Sequence, residues 1–172
     1  MPGRLKLLVV LSLFLGFSSC SGSKASPRVL YSNSLNSIDS ILTKEGVSAD
    51  PRTSSGPGGA VRIDARGSRT VRLAEVQPEG VEGAVLTFRG HLRTADLAGR
   101  AYLEMTCSVS GEEEIVSESL KPAPTGTTDW VTHETRLSLR PGQLANVVKL
   151  NVVIEGAGTV WVDNVILVQT QE

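Results

Sequence analysis

Val148-Lys-Leu-Asn-Val-Val-Ile-Glu155, followed by Gly156-Ala-Gly158 and then Thr159-Val-Trp-Val-Asp-Asn-Val-Ile-Leu-Val168, is the stretch that decides the fold. Apolar residues recur at every second position on both sides of the glycine cluster, the period of a strand with one face toward a core. Valine and isoleucine fill half of each run, as strands favour. The spacing predicts two antiparallel strands joined as a hairpin around Gly156-Ala-Gly158.

The same period extends outward from this stretch toward the N-terminus. Trp130 to Leu139 ends at Arg140-Pro-Gly142, and Arg100 to Val109 leads through the acidic turn Gly111-Glu-Glu-Glu114 to a strand over Ile115 to Leu120. Lys121 to Thr128 reads as a loop. Val85 to Arg93 follows the turns Pro78-Glu-Gly80 and Glu82-Gly83, and Ala60 to Ala65 and Thr70 to Val76 flank Arg66-Gly-Ser-Arg69. Asp50 to Gly59 is a loop by its proline and glycine content. Arg28 to Asn33 reads as a first strand, and Ser37 to Lys44 as a short helical or irregular excursion. Strands punctuated about every ten residues mark a sandwich or barrel, and no repeat of solenoid length interrupts them. The fold class is all-β.

Residues 60 to 168 carry a resemblance. Gly126-Thr-Thr-Asp-Trp130, Val148 to Gly156 and Gly158 to Leu167, with Phe88-Arg-Gly-His-Leu-Arg-Thr94 and Leu97 to Tyr102, resemble the strands of galactose-binding-like jelly rolls, including many carbohydrate-binding modules. The resemblance implies an antiparallel jelly-roll β-sandwich and a non-catalytic ligand-binding role, with carbohydrate as the expected ligand. Fold likeness alone does not confer function. It also implies that Asp163 in the last strand helps hold a structural calcium with an acidic residue of the first strand. Tyr31-Ser-Asn-Ser-Leu-Asn36 has no such residue, and Asp39 is the nearest substitute. Calcium takes six to eight oxygens, so the other reading of Asp163 is a carboxylate hydrogen-bonded to loop backbone. No other cofactor is implied.

The N-terminus is an address. Arg4 and Lys6 precede an apolar run from Leu7 to Phe17, then Ser18-Ser19-Cys20. The run is too short for a membrane span of about 20 residues and fits a secretory signal. Phe17-Ser18-Ser19-Cys20 resembles the lipobox of bacterial lipoproteins, with Phe17 where that pattern prefers Leu. The resemblance makes residues 1–19 a signal peptide, Cys20 the lipidated residue, 20–27 a flexible tether and 28–172 the jelly-roll domain. Ser21 stands where an inner-membrane retention signal would place Asp, so an exported protein anchored in the outer membrane is expected. Two or more buried acyl chains make such an anchor stable.

Removing the signal peptide leaves about 153 residues, enough for one domain with a real core. The formal net charge, −1 for the whole chain, falls to about −3. No clustered basic face argues for nucleic acid. Of the two cysteines, Cys107 shares parity with Leu103 and Met105 and reads as a buried hydrophobe rather than a partner for Cys20.

Candidate ligand-binding residues come from the polar parity of the middle strands. With Leu86, Phe88 and Leu92 inward, Arg89, His91 and Arg93 point outward; Tyr102, Glu104 and Thr106 do so on the next strand. Thr132, Glu134 and Arg136, and Lys149 and Asn151, complete the set. A curved sheet lined by Arg89, His91, Tyr102, Glu104, Lys149 and Asn151 suits hydroxyl-rich or anionic ligands; the other reading is a solvated face laced with cross-strand charge pairs. Trp161 shares parity with Val165 and Leu167, and Trp130 opens a strand, so both rings are expected to seal the sandwich.

Catalytic chemistry has little footing. Glu104 and Glu134 share a parity without a measurable separation, His91 and His133 face opposite ways without further metal ligands, and neither a Gly-x-Ser-x-Gly elbow nor a phosphate loop occurs. Two function classes stay open: a lipid-anchored module that binds a glycan, and a structural or protein-interaction component of an envelope assembly.

Overall fold

The computed structural model describes residues 26–171; the signal segment, Cys20 and the tether to residue 25 lie outside the described residues. Nine strands follow in chain order: β1 (Arg28–Asn33), β2 (Val47–Asp50), β3 (Ala60–Arg66), β4 (Arg69–Val76), β5 (Ala84–Val109), β6 (Ile115–Val116), β7 (Glu118–Ser119), β8 (Thr125–Ser138) and β9 (Ala145–Gln171). All pairings are antiparallel. The excursion over 37–44 is irregular, and the short β2 was not foreseen because it lies among Gly, Asp and Pro.

Two long strands organise everything else. β5 and β9 run antiparallel from Ala84 opposite Gln171 to Val109 opposite Ala145. Gly156-Ala-Gly158 is therefore not a hairpin turn, and Val85–Arg93 and Arg100–Val109 are halves of one strand. At mid-length Gly99 pairs with Gly156, with φ of 143° and 121°. A Cβ on Gly99 would stand 1.6 Å from the Glu155 carbonyl oxygen, and one on Gly156 would stand 1.8 Å from that of Ala98. Only glycine fits both positions. The two strands bend together there and pass from one sheet of the sandwich into the other.

The first sheet holds the C-terminal half of β9 between β1 and β3 on one side and the N-terminal half of β5 on the other, continued by β8 and β7. The second holds the N-terminal half of β9 between β4 and the C-terminal half of β5, with β6 at its edge. Leu86, Phe88, Leu92, Val160, Val162 and Leu167 of the first sheet meet Leu103, Met105, Leu150, Val152 and Ile154 of the second, each essentially without exposure. Across the gap, the Leu103 N–H donates to His133 Nδ1 at 3.3 Å. Cys107 is a free buried thiol in this core, and burial pushes its pKa up to about 11, as its parity implied.

One irregularity redirects a side chain that matters. Asn164 has a positive φ of 50°, and the β5–β9 register slips between Arg89 and His91, which face Ile166 and Asp163. A β-bulge of this kind adds a residue to one strand and reverses its parity. Val165 and Leu167 point inward after it, but Val160 and Val162 do so before it. Trp161 consequently faces outward. The expectation that it seals the core is wrong, because the bulge reverses the alternation between Trp161 and Val165.

Candidate functional site

The six predicted ligand residues do not form one groove. Arg89 and His91 lie on the half of β5 within the first sheet, whereas Tyr102, Glu104, Lys149 and Asn151 lie on the halves of β5 and β9 within the second. Each points outward as parity required. The bend at Gly99 and Gly156 puts the two groups on opposite outer faces.

The second-sheet face satisfies itself. Asn151, buried at 2% exposure, donates to Glu104 Oε1 at 3.3 Å and accepts from Arg72 Nε at 3.1 Å. Arg72 also bonds Glu75 at 2.6 Å, Lys149 pairs with Glu114, and Arg100 grips Glu155 at 2.6 and 3.0 Å. The Tyr102 hydroxyl donates to Glu155 at 3.1 Å, and its ring lies under the Arg100 guanidinium at 5.5 Å. Burial, then the Glu155 carboxylate, raises the Tyr102 pKa, while the Arg100 bond holds Glu155 below the usual range. Beside this network a cleft of about 380 Å³ is lined by Arg100, Tyr102, Glu104, Ser117, Ser119 and Lys121. This is the charge-laced arrangement of the second sequence reading.

The first-sheet face is different. Across its neighbouring strands, Arg62 of β3 pairs with Trp161 of β9, and Trp161 pairs with Arg93 of β5. Beyond Arg93, the β5–β8 register passes from Leu92 opposite Val131 to Thr94 opposite Thr128, so Asp129 and Trp130 together face Arg93. Trp130 has the parity of outward Thr132 and Glu134, opposite to buried His133, Thr135 and Leu137. It too is a face residue and not a core anchor. The guanidinium carbons of Arg62 and Arg93 lie 5.3 and 5.5 Å from the Trp161 ring centre, within cation–π range. Trp161 Nε1–H donates to Asp50 at 3.0 Å, the main reason the Asp50 pKa is lowered.

Asp163 shows how a loop walls this face. It points outward yet is 1% exposed, because residues 51–59 fold over it. Its Oδ2 accepts from the Ser55 N–H and hydroxyl, each at 2.7 Å, and from Ser54 Oγ at 3.4 Å. Ser55 Oγ also lies 2.7 Å from His91 Nδ1 and accepts from Asn164 Nδ2 at 3.1 Å. An ionised carboxylate only accepts, so the hydroxyl proton goes to Asp163 and His91 donates from Nδ1. That leaves Nε2 as the ring nitrogen of His91 not used in holding the loop. The hydroxyl stands between acid and imidazole, an order that fastens a loop and does not activate a nucleophile.

This bonding is the loop-backbone reading of Asp163. Asp39 bonds Ser37 at 3.0 Å instead of approaching it. Among the described residues no group of three or more His, Cys, Asp or Glu is placed to hold a metal ion. Neither sequence reading singled out Trp130 and Trp161 as face residues. The signal available in the sequence was the outward parity of Arg93, the strand neighbour of both rings.

No protein-family model matches the chain, and no curated protein does either. Solved structures do match. A family 16 carbohydrate-binding module is 11% identical, covering 81% of this chain and 99% of its own, with a TM-score of 0.59. The CBM22-1 xylan-binding domain of Paenibacillus barcinonensis Xyn10C is 10% identical over 86% and 97%, with a TM-score of 0.62. TmCBM61, solved with β-1,4-galactotriose, is 16% identical over 81% and 97%, with a TM-score of 0.55. The chain thus has the jelly-roll sandwich fold found in carbohydrate-binding modules.

Proposed function

We propose that this chain is a non-catalytic, lipid-anchored envelope protein that binds a glycan on the outer face of its first sheet. The observation that carries the reading is the row of two indoles with Arg93 between them. Among the described residues the half-buried Trp130 ring makes no hydrogen bond and no cation–π contact, which leaves it as a stacking platform. Trp161 holds Arg93 in place, and His91 Nε2, Thr132 and the Arg89–Glu134 pair, bonded at 2.6 Å, add polar groups along the same strands. Apolar rings with a few fixed polar groups suit sugar rings. The fold shared with carbohydrate-binding modules supports the same ligand class.

A glycan-array screen of residues 21–172 with calorimetry on each hit is the test. Binding that falls at least tenfold in Trp130→Ala, with an unchanged melting temperature, is the expected result. No binding to any glycan overturns the reading in favour of the structural or protein-interaction role. Anchorage at Cys20, with outer-membrane placement, rests on the lipobox-like sequence and is part of the proposal. Labelling with an alkyne fatty acid should tag the protein and release Cys20→Ala to the soluble fraction; an unlabelled wild type overturns it.

A further inference from the structure

We infer that the glycan bound on this face is acidic, its sugar rings bearing a monoanionic substituent, carboxylate or sulfate ester, that Arg93 reads. This rests on the glycan-binding reading and narrows its ligand. Among the described residues, Arg62 is bonded to Asp64 through Nε and Nη2, and Arg89 is bonded to Glu134. The three basic residues that structure the opposite face, Arg72, Arg100 and Lys149, each have a glutamate. Among the described residues Arg93 makes no ion pair and no hydrogen bond; its guanidinium lies over the Trp161 ring. The nearest carboxylate in register, Asp129, accepts from the Trp130 N–H at 2.8 Å.

A guanidinium never loses its charge in a protein. Arg93 is half-buried at the middle of an aromatic row, so part of its hydration is lost with no anion in return. An arriving anion restores the balance, and the planar donor fork suits an oxyanion in two-point contact. Stacking on Trp130 would orient the sugar ring so that its substituent meets Arg93. The net charge of −1 means that general attraction to polyanions does not supply this preference.

The experiment compares two matched pairs at 150 mM salt by calorimetry: polygalacturonate against its methyl ester, and dextran sulfate against dextran. At least tenfold tighter binding of the acidic member of one pair is expected, and the pair that shows it identifies carboxylate or sulfate. Arg93→Gln should abolish the preference with an unchanged melting temperature, Arg93→Lys should restore part of it, and Lys149→Gln should leave it intact. Equal binding of acidic and neutral members overturns the inference and leaves the glycan reading standing. A preference that survives Arg93→Gln overturns the assignment to Arg93, and no binding by either member of both pairs, or by any array glycan, overturns inference and reading together.

Discussion

The two outer faces of the sandwich are cut from the same two strands, yet their charges are arranged in opposite ways. On the second sheet, Glu104, Asn151, Arg72 and Glu75 form a chain of hydrogen bonds, and Lys149 and Arg100 each close on a glutamate. On the first sheet, two indoles and a guanidinium without a carboxylate line the row from Arg62 to Trp130. A face whose charges are satisfied internally gains little from a polar ligand, since each new bond must displace an existing one. A face with an open ring and an unmatched charge has interactions in reserve.

The strongest way to break the contrast is to break the bend that creates it. Gly156→Val places atoms within bonding distance of the Ala98 carbonyl and should destabilise the domain by about 3 kcal/mol or more, read by urea unfolding. Next comes the ligand side: Trp161→Ala should weaken glycan binding at least tenfold through loss of Arg93 positioning, whereas Tyr102→Ala should change it less than twofold. Equal losses from both would erase the distinction between the faces. Asp163→Ala should cost about 1–3 kcal/mol, and hydrogen exchange should show faster turnover at the Ser55 amide while the second-sheet face is unaffected.

His133 supplies a smaller, pH-dependent effect in the core between the faces. Nδ1 accepts from Leu103 N–H, and Nε2 lies 3.3 Å from Ser119 Oγ. Burial, then nearby Lys121, lowers its pKa from the ordinary value of 6.5. A depressed folded-state pKa means that the unfolded chain takes up the proton first. The stabilisation is complete above about pH 6.5 and declines as pH falls through the folded value. His133→Gln should flatten that part of the melting-temperature profile. The smallest effect is expected for Lys149→Ala, within about 0.5 kcal/mol, because exposed ion pairs contribute little.

Strand positions and most facings were legible because alternation is a local property. Arg89, His91, Tyr102 and Glu104 all point outward, and Cys107 is buried, as their parity required. What alternation cannot convey is where a strand changes sheets. Gly99 and Gly156 lie 57 positions apart and acquire meaning only when paired, so the glycine cluster read as a turn and the two faces read as one. The facing of Trp161 escapes local alternation for a different reason. Its facing depends on a single residue, Asn164, in left-handed conformation, which asparagine tolerates better than most residues but which its presence does not announce.

The pairing of Arg28 with Gln169 sets how the domain bears load. The chain enters beside the far end of β9, and Trp161 stands eight residues along that strand, about 26 Å away at ~3.3 Å per residue. For a molecule tethered through its N-terminus and gripping a ligand at Trp161, tension runs lengthwise along β1 against β9. The ladder from Arg28 to Asn33 is then strained in shear, its bonds sharing the force instead of opening one at a time. An N-terminal anchor of the kind proposed would thereby pull on the domain along its most resistant direction.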